Sequence, residues 1–187
     1  MRYSTDHKER SRERILKEAS VLLRTRGVDG VGLAEIMRHA GLTHGGFYAH
    51  FPSREALVAD ALSAALDQTV GRLGDLVAAT PADQRLAAIV RAYLSRQHME
   101  EPGNGCVFAA LGGDIGRLPL ATREQLAQHH QRLIALIADG LDGLGRPRDQ
   151  APVILATMIG SLTMARLMPD AEAGQHLLAE AVTAILT

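Results

Sequence analysis

Aromatic residues make up only 3% of this 187-residue chain, and tryptophan is absent. The core must therefore be assembled from aliphatic side chains, and the abundance of Ala and Leu favours helices packed on helices. A single cysteine, Cys106, excludes an internal disulfide and suits a reducing compartment. Long apolar runs are broken by charge or glycine well short of the roughly 18 residues that a membrane span requires, and no apolar segment follows a basic start. The chain reads as cytoplasmic and unprocessed, with no membrane partner. The sequence contains no alternating strand pattern, internal repeat or low-complexity segment.

Charge is nearly balanced overall, at a net −1, but not along the chain. Residues 1–54 contain ten Lys or Arg and six Asp or Glu, whereas residues 55–187 contain ten and fifteen. A basic excess at one end fits either a segment that meets a polyanion or a solvated charged helix.

Helical periodicity organises the whole sequence. Ile15, Ala19, Leu22 and Leu23 mark one apolar face of a helix that Gly27 stops. Leu33 to Ala40 is long enough for about two turns, and Gly41 suits the left-handed position just past its end. Thr43 is a good N-cap for the next helix, which runs to His50 before Pro52. Ser53 caps a long helix from Arg54 toward Val77, although Ala56 stands where a capping box would carry Glu. Further helices are expected near Asp83–Met99, Cys106–Ile115, Pro119–Leu144, Gln150–Met168 and Ala171–Leu186, with Glu101-Pro102-Gly103-Asn104-Gly105 as the clearest loop. After Ala151 the only charged residues are Arg166, Asp170, Glu172 and Glu180, too few for two helices bathed in water. One stripe runs through Ile154, Met158, Leu162 and Ala165, and another through Leu177, Leu178, Ala181, Val182, Ile185 and Leu186. We read the pair as packing on a partner subunit as well as on its own core, the alternative being burial within a larger monomer.

Between Thr43 and Phe51 the chain places two adjacent glycines, Gly45 and Gly46, and three of its six Phe and Tyr residues. Two short helices joined by a tight glycine-containing turn, behind a basic helix, fit a helix-turn-helix. An eight-residue second helix would span roughly 12 Å, comparable to the DNA major groove. Each glycine costs on the order of 1 kcal/mol of helix propensity, and close approach to phosphates and bases supplies a reason to bear that cost.

Val31-Gly32-Leu33-Ala34-Glu35-Ile36-Met37, then Ala40-Gly41-Leu42-Thr43, then Phe47-Tyr48-x-His50-Phe51-Pro52-Ser53-Arg54-Glu55-Ala56-Leu57 closely resemble the N-terminal domain of the TetR family of bacterial transcriptional regulators. Gly105-Cys106-x-x-Ala109-Ala110-Leu111-Gly112 resembles a motif of one branch of that family. The resemblance implies an all-α fold: a three-helix helix-turn-helix DNA-binding domain over residues 1–52 and a larger helical ligand-binding and dimerisation domain over residues 53–187. It also implies a homodimer that binds a double-stranded DNA operator and leaves it when a small-molecule effector binds. On the matching positions, Thr43, His44, Gly45 and Gly46 start the recognition helix. Tyr48 and His50 fall where phosphate or base contacts are expected, and Arg54 holds the position of a phosphate-binding Lys. Phe47 and Phe51 pack the three-helix core, and the Tyr48 ring could do the same. Gly32 departs from the pattern, standing where the family usually has a capping Ser or Thr.

The C-terminal part is expected to enclose the effector. Cys106, at the start of a helix after a glycine-rich loop, has two open readings. One is a thiol that senses an oxidant or electrophile, and the other is a small packing or pocket-lining residue. By the resemblance, His98, Met99, Cys106, Phe108, His129, His130 and Met158 lie on helices around the cavity. Adjacent His129 and His130 point about 100° apart on a helix and cannot share one metal ion. No metal, cofactor or catalytic set is expected, and Gly112-Gly113 reads as close helix packing rather than a nucleotide loop. The chain is read as a regulator rather than an enzyme. The alternative of a different class is a helical small-molecule-binding protein without operator binding.

Overall fold

The computed structural model describes residues 2–187, with side chains from His7 onward. The basic N-terminal segment forms α1 (Arg2–Arg26), which Gly27 ends at φ +84°. A short connector leads to α2 (Leu33–His39), capped by Gly32 through backbone alone, and Gly41 turns the chain at φ +68° as its position after the helix requires. A 3₁₀ helix follows over His44–Ala49. The long α3 (Arg54–Ala78) starts at Ser53, whose side chain accepts from the Ala56 N–H at 3.1 Å.

The expected single helix over Asp83–Met99 is broken. A 3₁₀ turn at Ala82–Gln84 opens α4 (Arg85–Tyr93); Leu94 leaves helical geometry, and Ser95 caps a separate α5 (Arg96–Glu100) by accepting from the His98 N–H at 3.2 Å. The side chain of Ser95 thus competes with helix continuation, which periodicity alone does not reveal. Pro102–Asn104 makes one further 3₁₀ turn before α6 (Val107–Ile115), for which Cys106 is the N-cap rather than the first helical residue. Helix α6 kinks at Leu111 (φ −130°, ψ 17°). Close packing does not explain Gly112 and Gly113: both are exposed, with nothing within 4 Å of where a Cβ would sit. They weaken the helix next to its kink instead. The remaining elements are α7 (Leu120–Asp142), a 3₁₀ turn at Arg148–Gln150, α8 (Ala151–Arg166) and α9 (Ala171–Leu186). All regular elements among the described residues are helical.

Two apolar cores result. The N-terminal one joins Ile15, Ala19 and Leu23 of α1 to Ile36 and Met37 of α2, to Phe47 and Phe51, and to Leu57, Leu62 and Leu66 of α3. Phe47 and Phe51 stack at 5.8 Å and are buried; truncating either to Ala would cost about 3–5 kcal/mol. Arg12 of α1 lies over the Phe51 ring at 5.0 Å and pairs with Asp60 of α3 at 2.5 Å, fastening the first helix to the third. This core is completed by Val107 and Leu111 of α6 and Leu126 of α7. The kinked helix therefore packs directly against the helix-turn-helix unit.

The C-terminal core gathers α4, α7, α8 and α9 around Leu86, Ile89, Leu133, Leu155, Leu162 and Leu178. Ile154, Met158, Leu162 and Ala165 are all buried in it. The face of α8 that points outward is a different one, carrying Val153, Ala156, Gly160, Met164 and Leu167. Among the described residues, no helix is long and apolar enough to cross a membrane.

Candidate nucleic-acid interface and effector cavity

The element after the turn differs from the eight-residue α-helix expected from sequence. Its bonds are i to i+3: the Gly46 N–H donates to the Thr43 carbonyl at 3.0 Å and the His50 N–H to that of Phe47 at 2.9 Å. Adjacent glycines leave the wider α turn without propensity, and the tighter winding rises about 2.0 Å per residue. Six residues then cover about 12 Å, the same length of groove with fewer residues. Thr43 occupies the N-cap position in extended geometry, but its side chain makes no capping bond.

One face of this element is built to remain uncovered. Tyr48 is 69% exposed, held by an edge-on contact with Phe47 at 5.1 Å. Thr43, His44 and Gly45 are exposed beside it. A Cβ on Gly45 would meet nothing within 4 Å, and on Gly46 only ordinary contacts at 3.7 and 3.9 Å. Nothing within the chain, then, requires glycine at either position.

His50 and Arg54 are more involved with the chain itself. His50 is half-buried at the end of the 3₁₀ helix, with Nδ1 enclosed and lacking a partner. Burial, and then the charges of Lys8, Arg12 and His7, hold its pKa below the ordinary value. These groups belong to α1, so the imidazole sits in a basic setting shared by two elements. Arg54 turns a guanidinium N–H back onto the carbonyl of Val28 and, at 3.2 Å, onto that of Val31. It thereby braces the connector between α1 and α2. That internal role was not visible in the sequence.

The second feature is a cavity of about 230 Å³ between α3, α4 and α5. Its apolar wall is formed by Leu73, Leu76 and Ala92, its floor by Tyr93 and His98, and its mouth by Arg72, Gln97, Glu101 and Asn104. His98 is the one residue expected at the effector site that lines it. Its ring stands edge-on to Tyr93 at 4.6 Å; Nε2 accepts from the Cys106 N–H at 2.8 Å, which leaves Nδ1 as the protonated nitrogen, donating to the Tyr93 carbonyl at 2.7 Å. Burial first, and then the charges of Arg166, Arg72 and Arg24, push the His98 pKa down to about 4.

Cys106 itself is 0% exposed. Its thiol faces the Tyr93 hydroxyl, which is buried without a hydrogen bond and whose pKa burial drives well upward. Met99 is buried next to His98, its carbonyl held by Arg166 Nε at 3.2 Å. Four other expected residues, Phe108, His129, His130 and Met158, lie apart from this cavity. Phe108 packs between the two cores, edge-on to His130 at 5.6 Å; His129 sits on α7, 3.5 Å from Asp67 of α3; Met158 is in the C-terminal core.

Sequence reading missed the arginines that fasten the loop beside the cavity. Arg24 of α1 donates to the Gly105 carbonyl at 2.7 Å, Arg72 of α3 to that of Asn104 at 3.3 Å, and Arg166 of α8 to that of His98 at 2.6 Å. Burial lowers Arg24 to about 10 and also lowers Arg166. The one available signal was Arg166, an isolated charge in an otherwise apolar helix. A Cβ on Gly105 would fall 2.6 Å from the His98 ring, so the loop closes on the imidazole only with glycine there. From the far end of α6, Asp114 accepts the Val28 N–H at 2.9 Å, a second link between the cavity side and the α1–α2 connector.

A short exposed helix braced on a three-helix core, joined through buried side chains to a cavity-bearing helical unit, defines a helix-turn-helix DNA-binding regulator. Residues 15–61 match the family of bacterial regulatory proteins, tetR family. It is 25% identical over 198 aligned residues to the HTH-type transcriptional repressor NemR of Escherichia coli K12, covering 100% of this chain and 98% of that protein. The crystal structure of E. coli NemR in its reduced form superposes with a TM-score of 0.78 at 25% identity over 91% of this chain and 94% of that one. A TetR-family transcriptional regulator from Agrobacterium tumefaciens shares the fold, with a TM-score of 0.81 at 21% identity over 95% and 98% of the two chains.

Proposed function

We propose that this protein is a cytoplasmic, ligand-released repressor without enzymatic activity, acting as a homodimer on a palindromic operator. The observation that carries the reading is the exposed 3₁₀ helix, where Gly45 and Gly46 are free of any intramolecular need for glycine and Tyr48 stands out into solvent. In this reading Thr43, His44, Gly45 and Gly46 enter the major groove, and Tyr48, His50 and Arg54 face phosphate. The DNA-binding domain comprises residues 1–52 and the effector and dimerisation domain residues 53–187, whose α3 contributes side chains to both cores. A second copy covers the outward face of α8. Effector binding in the cavity shifts the His98–Gly105 segment, and the shift reaches the recognition helices through Arg24 and through the α6 residues Val107 and Leu111.

The test is a gel shift with the DNA upstream of the protein's own coding region. Specific binding should weaken steeply as salt rises, because phosphate neutralisation releases counterions. Absence of any salt-sensitive complex would favour a small-molecule-binding protein that does not engage an operator.

A second reading makes Cys106 the sensor, an oxidant- or electrophile-responsive thiol. It is favoured by the position of the thiol against the unpartnered Tyr93 hydroxyl and one residue from the Arg24-bound carbonyl of Gly105. Operator release by a thiol-reactive compound should disappear in Cys106→Ser. Release that persists unchanged in the variant would eliminate this reading.

A further inference from the structure

Arg24, Arg72 and Arg166 converge on one eight-residue segment, yet among the described residues none of the three is paired with a carboxylate. Their hydrogen bonds go to backbone carbonyls and, for Arg24, also to Ser20. Arg24 is buried, and Arg166 is half-buried with Nη1 enclosed and unpartnered. Holding several guanidinium charges out of water without a counter-ion is unfavourable, and carbonyl dipoles offset the cost only in part. The arrangement leaves a positive field behind the cavity floor, the same field that helps keep His98 neutral. Arg72 brings that charge to the cavity itself.

Leu73, Leu76 and Ala92 give the cavity its apolar lining, and Arg72, one helical turn before Leu76 on α3, brings a guanidinium to the same lining beside Ser95, Gln97, Glu101 and Asn104. Tyr93, 3% exposed, forms part of the floor, and its hydroxyl has no hydrogen bond. Glu101 is also at the mouth, where its carboxylate accepts from Asn104 Nδ2 at 3.3 Å and would repel a second negative charge. An anionic head beside Arg72 and an apolar body along the aliphatic side chains suit this lining, and Glu101 disfavours a second negative charge.

We propose that this cavity binds a small amphiphilic monocarboxylate, its head drawn to Arg72 and its body lying along Leu73, Leu76 and Ala92. This assignment rests on the reading of the chain as an effector-responsive regulator and names the chemical class of the effector.

Isothermal titration of the full-length protein with 4-phenylbutyrate, and with its neutral primary amide, tests the assignment. The carboxylate should bind saturably at one site per chain, about tenfold or more tighter than the amide. Arg72→Gln should reduce that preference to within about twofold, Arg72→Lys should retain it, and Leu76→Trp should weaken both probes together. Equal affinity for acid and amide, a preference that survives Arg72→Gln, or no saturable binding of the carboxylate would each overturn the proposal. The operator gel shift without any probe reports on the regulator reading separately, so loss of one conclusion is distinguishable from loss of the other.

Discussion

The backbone N–H of Cys106 donates to Nε2 of His98 at 2.8 Å, and this bond fixes the imidazole as the neutral tautomer with its proton on Nδ1. Protonation at Nε2 would set two donors against each other, with Arg166, Arg72 and Arg24 close enough to oppose the added charge.

Stability should therefore fall with acid. The His98 pKa is depressed from 6.5 to about 4 in the folded chain, so the unfolded state takes up a proton first as pH drops below 6.5. The stabilisation is present above 6.5 and declines toward 4. Between pH 6.5, where the unfolded imidazole is already half protonated, and about pH 5, the native chain should lose about 1.5 kcal/mol more than His98→Gln. Denaturant melts of both proteins at the two pH values measure the difference. Parallel slopes would show that His98 is not held neutral.

Gly45→Ala should separate stability from DNA binding. With nothing within 4 Å of the new Cβ, the substitution should leave the thermal midpoint unchanged or raise it, by no more than about 1 kcal/mol of propensity. Operator affinity should fall about tenfold as the methyl group holds the helix away from the groove. Unchanged affinity would show that the glycine does not serve close approach.

Tyr48, His44 and Arg54 should fail in different ways. Tyr48→Phe removes only an exposed hydroxyl, so binding should weaken by about 1 kcal/mol on specific and scrambled DNA alike, with no change in the melting curve. His44→Ala should alter which sequence is preferred. Arg54→Ala strands the carbonyls of Val28 and Val31 and should lower the melting temperature as well as the affinity. Melts together with titrations on both DNAs distinguish the three. Equal losses on both DNAs for all variants would count against base readout by His44.

The outward face of α8 should control assembly. Val153→Glu combined with Met164→Glu places charge on two exposed apolar positions, so folding should survive while sedimentation shifts from dimer to monomer. Operator binding should decline with it, since a single recognition helix reads only half a palindrome. A double variant that remains dimeric would place the interface elsewhere.

The helix-turn-helix was legible in the sequence because short-range signals agree there. Gly41 takes the positive φ expected of it, Phe47 and Phe51 are core residues, and the last two helices fall within a few residues of their expected bounds. Three features depended on competition that periodicity does not record. Gly45-Gly46 tightened an α turn into a 3₁₀ one, Ser95 captured the His98 N–H and broke a helix, and Cys106 became a cap. The effector side was less legible for a different reason. Arg24, Arg72 and Arg166 lie 48 and 94 residues apart along the chain and meet only through backbone carbonyls, which carry no sequence identity.

Surface loops ordinarily accept an added or deleted residue. The segment from α5 into the following loop is an exception, because the carbonyls of His98 and Met99 in the helix and of Asn104 and Gly105 after it are all held by guanidinium groups rooted in three separate helices. An insertion of one residue would move some acceptors and not others, taking the Gly105 carbonyl away from Arg24 Nη1, for example. Its length is therefore dictated by partners outside it, so insertions and deletions should be tolerated elsewhere on this surface before they are tolerated here.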